Sequence, residues 1–105
     1  MRASSTEQVL AVITSPPALE SQLVDWLLSN DEGVGFSSVA IHGHSTRHNH
    51  LSLAEQVSGR QRRLQFQVQL DGDRLDGFLA SLKADFRDAD LHYWVIPLLA
   101  GGSLR

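Results

Sequence analysis

The chain contains no cysteine. Disulfides, a thiolate nucleophile and any cysteine-based zinc site are therefore excluded, and a reducing compartment is expected. Net charge is also low. Nine Lys and Arg against twelve Asp and Glu leave a formal -3 at pH 7, so no nucleic-acid partner is expected, since phosphate neutralisation needs clustered basic residues. No apolar run approaches the ~20 residues of a membrane span, so direct membrane insertion is not expected. The stretch from Met1 to Gln8 is polar and lacks the basic start and apolar core of a signal peptide, which makes the cytoplasm the expected location. No Walker pattern surrounds Gly59 and no nucleophile elbow surrounds Ser45, Ser52 or Ser58, so catalysis has little to rest on.

What is present is enough to fold. Hydrophobic residues make up 42% of 105, and a chain of this length forms one domain, 1–105, with one two-layer core. There is little room for an enclosed pocket, so a site is expected in a loop or between subunits.

The periodicity predicts six elements. Glu7 to Thr14 reads as a strand that is apolar on both sides, hence central. Ser15 and Pro16 suit the start of a helix, Ser15 as cap and Pro16 at the first helical position. Leu19, Leu23, Trp26 and Leu27 form its buried stripe. Phe36 to His44 is a second strand, with Val39 and Ile41 on one face and Ala40 and His42 on the other. Gly43 to Gly59 is a long polar stretch that reads as a loop, with a short helix at Leu53 to Val57, and Thr46 to Ser58 is expected to be more mobile than the strands beside it. From Arg62 to Leu70, core-facing Leu64, Phe66, Val68 and Leu70 alternate with Arg63, Gln65, Gln67 and Gln69.

A second helix follows, capped by Asp73 and marked by Leu75, Phe78, Leu79, Leu82 and Phe86. Gly77 inside it costs ~1 kcal/mol relative to Ala, which predicts a packing contact there. Leu91 to Leu98 is the last strand, placed at an edge or a strand end by Pro97. The segment 99–105 reads as a loose tail.

The order β-α-β-β-α-β specifies an α+β, ferredoxin-like sandwich: a four-stranded antiparallel sheet with two helices on one face. Apolar residues on both sides of the first and last strands leave the bare face only partly polar. Such a face calls for a partner, and self-association is the simplest one.

Four of the five histidines fall in the pattern His42-x-His44-x₃-His48-x-His50. Imidazoles suit zinc, copper or nickel, so these four are the candidate metal ligands; the competing reading is a run of solvated polar side chains. His92 is read as a strand-surface or interface residue. Arg60, Arg62, Arg63 and Arg47 make the base of the long loop basic, able to grip phosphate or carboxylate in pairs, or else to be neutralised by Glu55 and neighbouring acids. Trp26 and Trp94 read as core or interface residues.

Several stretches carry a resemblance to the PII-like superfamily: Val24 to Leu28, Gly43-His44, the run Leu51-Ser52-Leu53-Ala54-Glu55-Gln56-Val57-Ser58-Gly59-Arg60, and Tyr93 to Pro97. Within it the chain is similar to a domain-of-unknown-function branch often associated with heavy-metal efflux systems of Gram-negative bacteria. The resemblance implies a trimer with sheets facing inward and a regulatory, non-enzymatic role. Gly43 to Arg60 would correspond to the partner-gripping T-loop, offering Arg47, Glu55, Gln56, Arg60 and Arg62 to a protein such as a membrane transporter or efflux component. One departure matters. The glycine-rich basic loop with which PII proteins hold ATP is here Arg87-Asp88-Ala89-Asp90, short, acidic and glycine-free, which speaks against ATP binding in the PII manner. CutA proteins, associated with divalent-metal tolerance, share the architecture, so the alternative is a metal-binding protein of that type. A small enzyme using inter-subunit clefts is a remote third.

Overall fold

Residues 7–30, 35–44 and 60–105 are described by the computed structural model of the chain. In chain order they form β1 (Gln8–Ser15), α1 (Glu20–Ser29), β2 (Phe36–His44), β3 (Arg60–Asp71), α2 (Leu75–Asp85) and β4 (His92–Leu98), with 3₁₀ turns at Pro17–Leu19 and Gly72–Arg74. The four strands make one sheet of order β2-β3-β1-β4, antiparallel throughout. This is the ferredoxin-like α+β sandwich that the alternation of patterns predicts. β1 is central, as its two apolar sides require, and β4 lies at an edge, where Pro97 costs no ladder hydrogen bond.

The core lies on one side of the sheet. Ala11 and Ile13 of β1 and Phe66 and Val68 of β3 meet Leu23 and Leu27 of α1 and Leu82 of α2. Ile13, Leu23 and Phe66 are fully buried, each contributing roughly 1.5–3 kcal/mol by leaving water. Trp26 ties the helices together. Its ring stands edge-on to Phe78 at 5.4 Å and to Phe86 at 6.0 Å, and its Nε1–H donates to Asp85 Oδ2 at 2.7 Å. α1 stops at Asn30, whose N–H reaches Trp26 and Leu27 carbonyls while its side-chain amide donates to Trp26 O at 2.8 Å.

Both capping expectations fail. Ser15 belongs to β1 and is fully buried; its hydroxyl donates to Pro16 O at 3.1 Å and caps nothing. Pro16 precedes the first 3₁₀ turn and Pro17 opens it. Asp73 lies inside the second 3₁₀ turn, and no side chain caps either that turn or α2. In both places a 3₁₀ turn feeds its own backbone bonds into the helix, so the start needs no side-chain acceptor. The packing contact expected at Gly77 is also missing: a methyl group there would meet nothing within 4 Å. Gly77 instead helps line a shallow groove with Asn30, Leu70, Asp73, Arg74 and Phe78. β3 is longer than its alternation suggested, running three residues further in all, from Arg60 to Asp71. The expected helix at Leu53 to Val57 lies outside the described residues.

Candidate functional site

β2 and β3 pair from Phe36↔Val68 to His44↔Arg60, a rigid two-stranded stem leading to residues 45–59. Strand alternation sorts its positions. Phe36, Ser38, Ala40, His42 and His44 share the helix side of the sheet with Val68, Phe66, Leu64, Arg62 and Arg60. Ser37, Val39, Ile41 and Gly43 share the open side with Gln67, Gln65, Arg63 and Gln61. His42 and His44 are thus brought together on one side, both exposed, but Arg62 stands opposite His42 and Arg60 opposite His44. An arginine at the register position of His42 makes the stem a less favourable place for a cation. Among the described residues no three His, Cys, Asp or Glu side chains gather in a metal-binding group. His48, His50, Arg47, Glu55 and Gln56 lie outside the described residues.

Arg63 does something the pattern did not foretell. The alternation assigns it to the polar face, yet it is only 7% exposed. Its Nη1 donates to Asp90 Oδ2 at 3.1 Å. Its Nη2 donates to Asp90 O at 2.8 Å and Thr14 O at 3.3 Å. Gly43 makes room for the side chain, since a Cβ there would stand 3.3 Å from Arg63 Cδ. His92, largely exposed, brings its Nε2 to 3.2 Å from the other Asp90 carboxylate oxygen. The guanidinium nearest the α2–β4 connection is therefore neutralised by an acid of that connection. The α2–β4 connection thus carries a closed Arg–Asp pair. The signals were available separately: an arginine in a glutamine row, a glycine across from it, an acid just before the last strand. Only the register unites them.

The third feature is the sheet face opposite the helices. A row of glutamines, Gln65, Gln67 and Gln69, runs down β3. Gln67 donates to Gln65 at 3.2 Å, and Gln69 donates to Gln8 on β1. On either side of the row are apolar side chains: Val39 is 51% exposed on β2, Trp94 45% and Ile96 42% on β4. Among the described residues of this face the charged side chains are Arg63, paired with Asp90, Asp71 at its rim, and His92 when protonated. The face is thus both apolar and nearly free of charge, on a chain of net charge -3, which is the character of surfaces that partners cover.

The sheet order, the helices on one side and the hairpin stem define a ferredoxin-like domain of the PII and CutA kind. The chain belongs to DUF3240, a family of proteins of unknown function, whose model matches residues 5–105. A DUF3240 protein from Shewanella baltica superposes with a TM-score of 0.76 at 20% identity, covering 94% of this chain and 98% of that one. CutA from Synechococcus elongatus, complexed with Bis-Tris, gives 0.66 at 16% identity, with 93% and 86% covered. Arabidopsis thaliana PII bound to citrate gives 0.63 at 12%, with 92% and 82% covered. At these identities the likeness is one of fold. No curated protein sequence matches the chain. Among the described residues no helix is long and apolar enough to cross a membrane.

Proposed function

We propose that this chain is a PII-like regulatory protein that acts by protein contact, as a homotrimer whose open sheet faces meet and whose 43–60 segments engage a partner. The observation that carries this reading is the β2–β3 stem. Nine register pairs from Phe36↔Val68 to His44↔Arg60 give the following segment a fixed base, and the reading assigns partner contact to that segment and to Arg60 and Arg62 at its foot. The partner in this reading is a component of a heavy-metal efflux system, with a divalent metal as effector, and the role is one of binding, not catalysis. Pull-down from the native host, in metal-replete and metal-depleted medium, tests it. Wild type should recover a transporter subunit, and a variant with Arg47, Glu55, Gln56, Arg60 and Arg62 changed to Ala should lose it. Equal recovery by both would overturn the reading.

A second reading, a CutA-like metal-binding protein using zinc, copper or nickel, is favoured by the shared strand side of His42 and His44. It requires His48 and His50 to complete the site, because two strand imidazoles facing arginine positions are a poor cation site alone.

A further inference from the structure

We propose that residues 99–105 form an inter-subunit strap, with Leu99 and Leu104 docking on the open sheet face of a second copy of this chain. The proposal rests on the open-face assembly above and names the element that secures it.

Leu99 and Leu104 are 106% and 105% exposed, the two most exposed large apolar residues described. An isolated exposed leucine needs no explanation. Here, however, Gly101 between them passes close over the open face. A methyl group on Gly101 would stand 3.0 Å from Gln69 Nε2 and 3.5 Å from Gln8 Oε1, and Gln8 and Gln69 belong to that face and bond to each other. A side chain at 101 would collide with this amide pair, so glycine lets the backbone cross close above it. The chain thus passes over the sheet while its two leucines find no cover from their own domain. What covers them is the body that faces the sheet.

The chemistry favours a second copy as that body. The face offers what leucine side chains require: exposed Trp94, Ile96 and Val39 beside uncharged glutamines. Two copies each carrying -3 repel across most surfaces, but hardly across one whose buried charge is internally paired. A partner recognised by charge would find little to hold here.

The experiment follows the concentration at which the assembly dissociates, by analytical ultracentrifugation over a dilution series, for wild type and Leu99→Ala/Leu104→Ala. Circular dichroism confirms that the variant keeps its fold. Removing both leucines should raise the dissociation concentration by roughly tenfold or more, from the apolar area returned to water. If wild type assembles and the variant dissociates at the same concentration, the strap is wrong and the open-face assembly stands. If wild type is monomeric throughout, both fail. A second measurement does not depend on affinity. Because the chain has no cysteine, Leu104→Cys and Trp94→Cys proteins can be mixed and oxidised. Mass spectrometry should then find the disulfide-linked mixed dimer in excess over either homodimer. A Leu104→Cys/Trp94→Cys double variant that closes the bond within one chain would instead place Leu104 against its own Trp94 and overturn the proposal.

Discussion

Replacing Asp90 by Ala isolates the Arg63 pair. Arg63 is 7% exposed and the Asp90 side chain 30%, so the substitution strands a buried guanidinium. Breaking a fully buried pair from one side costs about 3–5 kcal/mol. Two features reduce that here. The carboxylate is partly solvated, and Arg63 keeps two carbonyl acceptors, Thr14 O at 3.3 Å and Asp90 O at 2.8 Å. A loss of about 2 kcal/mol follows, equivalent in a domain of this size to roughly 8–16 °C in Tm. Asp90→Asn keeps the shape and one acceptor and should lose about 1 kcal/mol. His92→Ala removes the other partner of the same carboxylate, but its ring is 69% exposed, so it should lose under about 0.5 kcal/mol. The assay is urea unfolding followed by circular dichroism at one fixed protomer concentration, because assembly makes stability concentration-dependent. An Asp90→Ala protein within about 0.5 kcal/mol of wild type, or one no worse than His92→Ala, would refute the reasoning.

Two further predictions concern the stem. Gly43→Val should destabilise, since the Cβ alone would stand 3.3 Å from Arg63 Cδ and Arg63 is held too firmly to yield. Its cost should shrink when Arg63→Ala is also present, and a double-mutant cycle with no coupling would contradict the contact. In calorimetric zinc or copper titration, replacing His42 and His44 by Ala should weaken binding more than replacing His48 and His50, because strand positions are preorganised. Unchanged affinity in both double variants would remove the metal reading.

How far the sequence carried these conclusions depends on the range of each interaction. The period-2 run from Leu64 to Leu70 and the two-sided apolar pattern of β1 are local, and both placed their strands in the observed sheet. The helix starts went wrong because Ser15 and Asp73 have the right chemistry for caps, while the choice of a 3₁₀ turn is made by the backbone entering from the strand. The sequence reading grouped Arg63 with the loop-base arginines because its partner, Asp90, is 27 residues away and no local pattern connects them. The apolar character of the open face was legible from the two-sided apolar patterns of β1 and β4. That Gly101 passes close over it was not, since Gly101 meets Gln69 and Gln8 only once β1 and β3 are paired.

Light scattering of the wild-type protein at micromolar concentration tests the central claim most directly. Three protomers of 11.6 kDa meeting through their open faces should give about 35 kDa, whereas a single species of 11.6 kDa would leave that face uncovered in solution and contradict the account.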